Sequence, residues 1–171
     1  TAASLRALAF GLATMLCFIT TDAQVAPEML QQMLKSAAGQ SLNCLTVDGD
    51  TSTNDMALML ANGASGVSVK ETERPAFQSA LDWLLRQMAR AMAADGEGAT
   101  KLVEGTVSGA ADTASARKLA KSVINSPLVK CAMFGADANW GRVLCALGYA
   151  GVPLDVHKIG VSFASAAGTV A

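Results

Sequence analysis

The chain has 171 residues, which is enough for one domain with its own hydrophobic core. Hydrophobic residues make up 51% of it, aromatic residues 5%, and the net charge is -1. This composition lacks the clustered lysine and arginine of a nucleic-acid surface. The cysteines form no CxxC pair, and the chain has a single histidine, His157. We therefore expect no metal site and no catalytic role for His157, but buried free thiols in a reduced, cytoplasmic compartment. The cysteines are Cys17, Cys44, Cys131 and Cys145.

The apolar segment near the N-terminus has two interpretations. Arg6 precedes an apolar run, and the later Thr21-Asp22-Ala23 could serve as a small-residue cleavage site, as in a secretory signal. The run is too short to cross a bilayer, and we predict no membrane association. Residues 15–21 are apolar, aromatic and β-branched, which favours a buried strand.

The next predicted elements alternate between helix and strand. Residues 27–39 begin with proline and follow helical apolar spacing, which predicts a helix. Residues 42–47 predict a strand. Residues 56–61 predict a short helix capped by Thr53 or Asn54.

The second half continues the same alternation. The clearest helix follows Pro75 and ends at the Asp-Gly-Glu-Gly turn of residues 95–98. Beyond it we predict strands over residues 101–107, 128–134 and 159–163, a helix over residues 111–125, and a helix from a cap at Asp137 or Asn139 to Tyr149. The pattern indicates one α/β domain. The chain stops at Ala171 in small residues, and we expect it to be cut short there.

Thr14 is the candidate nucleophile. A threonine hydroxyl reacts poorly until a base removes its proton, and an N-terminal threonine can use its own α-amine for this. That amine has a reference pKa of about 7.7 to 8.0. Such a residue must be created by cutting the bond before it, here Ala13-Thr14. The local sequence alone favours an ordinary strand threonine. Thr1 is surrounded by no motif.

Three further blocks stand out. Asp-Gly-Asp-Thr-Ser-Thr-Asn-Asp (residues 48–55) suits either a cation site or a turn whose side chains bind loop amides, and it lacks the spacing of a calcium loop. Asp-Gly-Glu-Gly-Ala-Thr-Lys (residues 95–101) is either a helix exit or part of a pocket. In residues 137–142, Asn139 caps a helix and Trp140 either buries its ring or serves a site.

Taken in order, these blocks resemble the β chain of the ornithine acetyltransferases over residues 13–163. The resemblance implies a layered α/β sandwich with helices on a mixed sheet. It implies that a precursor cuts itself at Ala13-Thr14, freeing Thr14 as nucleophile and substrate contact. It also implies that Glu97 binds the substrate's ammonium group and that residues 48–55 shape the site without taking part in chemistry.

The activity that the resemblance implies is ping-pong acetyl transfer in arginine biosynthesis. N-acetylornithine donates its acetyl group to the threonine, ornithine leaves, and glutamate takes the acetyl group. No cofactor is expected. Some members also accept acetyl-CoA, and the residues leave that open. The expected partner is the α chain of the same precursor, in an α2β2 heterotetramer.

The resemblance breaks before Ala13, so we divide the chain into a non-matching segment, residues 1–13, and a β-chain-like domain, residues 14–171. The lysine-glycine segment and the Met-Ile-x-Pro-Asn-Met-like run of the family are absent. Ala138 stands where proline is common. The resemblance also implies an α chain that supplies the oxyanion hole and a C-terminal segment with a substrate-binding Asn and Thr, and we expect neither to be part of these 171 residues. Two alternatives therefore stay open: a hydrolase or aminopeptidase with an N-terminal nucleophile, and a truncated, inactive homologue.

Overall fold

The computed structural model describes residues 5–12, 14–50, 52–165 and 168–170. They form two compact units, the first ending at Glu97 and the second beginning at Gly98. The first unit contains strands β1 (Leu5–Leu12), β2 (Thr14–Thr21) and β3 (Met56–Ala61) and helices α1 (Pro27–Gly39) and α2 (Arg74–Ala94). The second contains helices α3 (Thr113–Asn125), α4 (Pro127–Phe134) and α5 (Trp140–Gly148) and strands β4 (Phe163–Ser165) and β5 (Gly168–Val170). Short 3-10 turns lie at Leu42–Cys44 and Val156–Lys158.

A three-stranded mixed sheet organises the first unit. Its order is β1-β2-β3, with β1 antiparallel and β3 parallel to the central strand β2. The strand predicted at residues 15–21 is confirmed as β2. Its side chains alternate, with Cys17 and Ile19 buried, as a strand with one covered face requires.

Strand β3 corrects the helix predicted at residues 56–61. This segment, Met-Ala-Leu-Met-Leu-Ala, consists of good helix formers, which explains the wrong prediction. Its burial instead follows a period of two: Met59 is buried, whereas Leu58 and Leu60 are exposed. Pairing with β2 supplies its backbone hydrogen bonds, so tertiary context overrides local propensity. The strand predicted at residues 42–47 is also wrong, because a 3-10 turn and loop occupy it.

Helices α1 and α2, both predicted from the sequence, cover one face of this sheet, as the resemblance implied. The buried residues of α2, Phe77, Leu81, Leu85 and Ala89, recur every fourth position and form one stripe. Met33 and Ala37 of α1 join them against Cys17, Ile19 and Met59 of the sheet. Helices on one face of a mixed sheet are the expected α/β layering.

The opposite face of the sheet is apolar and open. The alternate residues on β2 and β3 that do not face the helices share this face because they pair in register. Leu16 and Phe18 are half-buried, and Met56, Leu58 and Leu60 are 42%, 40% and 54% exposed. We call these five residues the open sheet face.

The second unit is mainly helical. Helices α3 and α5 confirm two predicted helices, with Asp112 and Asn139 as their side-chain caps. Residues 128–134, predicted as a strand, form helix α4 instead. The Ser126 side chain accepts the Val129 amide and Pro127 occupies the first turn, so Ser-Pro begins a helix here. Residues 101–107 have no regular structure, and the strand predicted at 159–163 begins only at Phe163.

The cysteines differ from the expectation of buried thiols. All four are free, but only Cys17 is buried, and burial raises the pKa of its thiol. The other three, Cys44, Cys131 and Cys145, are exposed because they lie in a turn or on outward helix positions. Within the described ranges, no helix has both the length and the apolar character needed to cross a membrane.

Candidate active site

Thr14 is the first residue of the central strand β2. Its partner in the β1 register is Leu12, and this pair ends the antiparallel ladder between β1 and β2. Ala13, the other half of the predicted cleavage site, lies outside the described residues. The backbone therefore brings Thr14 to one end of the sheet, where β2 begins.

Parallel pairing brings the acidic block to the same end. Because Leu16 pairs with Met56, the residue before β3 lies beside the residue before Leu16. There the Met15 amide donates a hydrogen bond to Asp55 Oδ1 at 2.8 Å. Residues 14 and 55, which are 41 positions apart in the sequence, thus belong to one local structure. The helix prediction for residues 56–61 concealed this contact.

The rest of the acidic block binds its own backbone. Asp48 Oδ1 accepts the Asp50 amide at 2.9 Å, and Ser52 Oγ accepts the Asn54 amide at 3.1 Å. Gly49 has φ of 89°, a conformation that favours glycine. In the described part of the chain, no cluster of three His, Cys, Asp or Glu side chains is placed to hold a metal ion. These contacts match the turn interpretation of the block.

The Thr-Thr-Asp end of β2 lies far from Thr14. Thr14 and Thr21 are seven positions apart along the strand, or about 23 Å. There Thr21 Oγ1 accepts the Ala23 amide at 3.2 Å, and Asn62 donates its amide to the Thr21 carbonyl at 3.2 Å. This second polar cluster fixes the turns after β2 and β3, which is a structural role.

Glu97 follows the end of α2 in an exposed turn. Gly98 has φ of 70°, so the turn needs glycine at that position. Among the described residues, the Glu97 carboxylate has no hydrogen bond or ion pair that holds it. Further along the same block, Lys101 Nζ donates to the Phe134 carbonyl at 2.8 Å, at the C-terminal end of α4.

Residues 137–142 are bound to each other and to α4. Asn139 Oδ1 accepts the Arg142 amide at 3.2 Å, and Arg142 Nη1 donates to the Leu128 carbonyl at 2.9 Å. The packing role considered for Trp140 is not observed, since this residue is 61% exposed. It lies about 120° around the helix axis from Ala146, the buried residue of α5. The block therefore shapes the start of α5.

The fold gives the class of this protein. It is an α/β protein whose helices cover a mixed sheet, with a threonine at the start of the central strand beside an acidic loop. The sequence model of the ArgJ family matches residues 7–170, nearly the whole chain. The chain belongs to the ArgJ family, which confirms the resemblance described above.

Individual relatives agree with this assignment. Arginine biosynthesis bifunctional protein ArgJ 1 of Clostridium acetobutylicum is 49% identical over 157 residues, covering 90% of this chain and 38% of the relative. The ArgJ protein of Symbiobacterium thermophilum is 52% identical over 151 residues, covering 86% and 38%. The crystal structure of ArgJ from Bacillus halodurans has a TM-score of 0.77 and 43% identity, covering 81% of this chain and 66% of that one.

These comparisons also set the extent of the match. The chain spans 38% of the length of each of these two bacterial relatives and 34% of a chloroplastic ArgJ protein of Oryza sativa, with which it shares 47% identity over 155 residues. The structural match agrees with the expected layered α/β fold.

Proposed function

We propose that this chain is the β-chain part of a glutamate N-acetyltransferase that works in arginine biosynthesis in the cytoplasm. The observation that carries the proposal is the family match together with Thr14 at the start of β2, beside the acidic loop. The names of the bacterial relatives, arginine biosynthesis bifunctional protein, support the pathway.

The first half-reaction takes the acetyl group from N-acetylornithine. After the Ala13-Thr14 bond is cut, the Thr14 α-amine accepts the proton of the Thr14 hydroxyl, and Oγ attacks the acetyl carbonyl carbon. The C–N bond breaks, the proton passes to the departing amine, and ornithine leaves an acetyl ester on Thr14. The α chain supplies the hydrogen-bond donors for the tetrahedral oxyanion.

The second half-reaction passes the acetyl group to glutamate. The glutamate amine attacks the ester carbonyl, the C–O bond breaks, and a proton returns to Oγ. Threonine is restored and N-acetylglutamate is released. The reaction needs no metal and no bound cofactor; acetyl-CoA is an alternative acetyl donor in the same scheme.

The acceptor separates this activity from the hydrolase alternative. A chimera in which residues 14–170 replace the matching region of the Clostridium acetobutylicum relative supplies the remaining segments. Incubated with N-acetylornithine and glutamate, it should form N-acetylglutamate and ornithine, measured by mass spectrometry. Free acetate in place of N-acetylglutamate would instead support a hydrolase.

Glu97 is the proposed contact for the ammonium group of the amino-acid substrate. Its exposed carboxylate, which no described residue binds, is available for a ligand. A placed carboxylate forms strong, charge-assisted hydrogen bonds with an ammonium group. The glycines on either side let the backbone approach a ligand closely.

Replacing Glu97 by glutamine should weaken binding of N-acetylornithine. The substitution keeps the shape of the side chain and removes its charge, which corresponds to about 1.5 to 3 kcal/mol, or roughly 10- to 150-fold in affinity. Steady-state kinetics of the chimera measures the change. Asp95→Asn is the matched control, since it removes a carboxylate from the same turn. Equal effects of both substitutions, or no effect of Glu97→Gln, would show that Glu97 belongs to the helix exit and does not bind the substrate.

The α chain is the proposed partner, in an α2β2 assembly. The open sheet face supports a partner, because it leaves large apolar side chains in water. In α/β proteins an apolar sheet face of this kind is usually covered by another layer of structure.

Lysine at Leu60 should weaken assembly with the α chain. Leu60 is 54% exposed, so the substitution disturbs the isolated chain little, but it places a charge on the open sheet face. We expect at least a 10-fold weaker association in sedimentation experiments with co-expressed chains. Leu128→Lys, at a residue 56% exposed on α4, is the control. Equal assembly of both variants would show that the open sheet face does not bind the α chain.

A further inference from the structure

The contact between Asp55 and Met15 joins the acidic loop to the candidate nucleophile's own peptide group. The donor is the Met15 amide, which is part of the Thr14–Met15 peptide, and the acceptor is Asp55 Oδ1 at 2.8 Å. The distance is that of a charge-assisted hydrogen bond. The bond spans 40 positions in the sequence, unlike the two-residue turns formed by Asp48 and Ser52 in the same loop.

This contact lies where the parallel ladder ends. The ladder between β2 and β3 begins at the Leu16–Met56 pair. One residue earlier, the Asp55 side chain accepts the donor that Met15 directs toward β3. The carboxylate thus extends the attachment of β2 by one peptide group, up to Thr14.

This attachment of the Thr14–Met15 peptide becomes important if the bond before Thr14 is cut. Thr14 is then a chain terminus, which frays unless it is tied down. A planar peptide held at its N–H also fixes the position of the preceding Cα and the direction of its Cα–C bond, so rotation about that one bond is the backbone freedom left to the substituents of that carbon. For an N-terminal threonine these substituents are the α-amine and the Cβ that bears the hydroxyl.

We propose that Asp55 is a positioning residue whose carboxylate fixes the Thr14–Met15 peptide and so restricts where the amine and hydroxyl of Thr14 lie during reaction. This inference rests on the proposed function, since it needs Thr14 to react. In this role Asp55 contacts the Thr14–Met15 peptide and not the substrate. It acts through the backbone. Asp55 thus has a role that the other residues of the 48–55 block do not share.

Amide hydrogen exchange on the 171-residue chain tests the contact without any activity. Asp55→Ala should raise the exchange rate of the Met15 amide about 10-fold, because the charged acceptor is lost. Asp55→Asn keeps an oxygen acceptor and should give an intermediate rate. Asp48→Ala is the matched control, because Asp48 accepts only from its own turn among the described contacts. Unchanged exchange in Asp55→Ala would overturn the contact, and thermal unfolding verifies that each variant is folded.

Acetyl transfer by the chimera tests the role. Asp55→Ala should lower kcat/KM for N-acetylornithine roughly 10- to 100-fold, as small misplacements of reacting groups do. Asp55→Asn should recover part of the loss. The preference for N-acetylornithine over the same donor without its side-chain ammonium should not change, whereas a substrate-binding role would change it. Full activity in Asp55→Ala would overturn the proposal.

The two proposals fail in different ways. If the unsubstituted chimera transfers no acetyl group, the proposed function fails and the positioning role fails with it, but the exchange result still decides whether Asp55 binds the Met15 amide. If the chimera is active and Asp55→Ala alters exchange but not transfer, the proposed function stands and the positioning role is wrong.

Discussion

Thr14→Ala should abolish both self-cleavage and acetyl transfer in the chimera that supplies the missing segments. The substitution removes the only oxygen that can carry the acetyl ester in the proposed scheme. In a well-studied serine protease, loss of the nucleophile lowers kcat by about 10⁶-fold, and we expect a fall of the same order. Gel electrophoresis measures cleavage, and mass spectrometry measures N-acetylglutamate.

Two further substitutions make this test specific. Thr14→Ser keeps a hydroxyl and should keep part of the activity. Thr20→Ala makes the same change on the same strand, about 20 Å from Thr14, and should have little effect because Thr20 is exposed at the far end of β2. A Thr14→Ala variant that is cleaved and active would show that another residue is the nucleophile.

The sequence predicted the helical layer of the first unit well. Helices α1 and α2 have proline in their first turns and apolar residues at helical spacing, two independent signals that agree. The prediction failed at residues 56–61, where Met, Leu and Ala favour a helix but pairing with β2 makes a strand. It failed at residues 128–134 for the opposite reason, since an apolar run looked like a strand and the Ser126 cap was missed.

The members of the candidate site could be proposed from the sequence, but their geometry could not. The family resemblance selected Thr14 and the acidic block, whereas the local sequence around Thr14 favoured an ordinary strand residue. The contact between Met15 and Asp55 depends on the parallel pairing of β2 with β3, and no local pattern encodes strand order. Cys131 was wrongly expected to be buried, and the burial considered for Trp140 is not observed, for a related reason: an apolar residue type does not tell which face of a short helix is covered.

The Ala13-Thr14 bond of this chain by itself should stay intact. Residues 1–13 lack the lysine-glycine segment and the Met-Ile-x-Pro-Asn-Met-like run that the resemblance leads us to expect before the cut. In the uncut chain the Thr14 nitrogen is an amide, which is not a base at neutral pH, so the hydroxyl lacks its activator. In the proposed scheme the α chain supplies the oxyanion donors, and loss of one such donor costs roughly 10²- to 10³-fold in a protease.

Intact mass spectrometry of the purified polypeptide measures this directly, and a single species of full mass is expected. The matched control joins the upstream segment of the Clostridium acetobutylicum relative, up to the residue that matches Ala13, to residues 14–171, which should restore cleavage before Thr14. A species that begins at Thr14 and forms from the original chain without added protease would contradict the prediction. It would show that residues 5–12, paired with β2 along their whole length, already present the bond in a cleavable conformation.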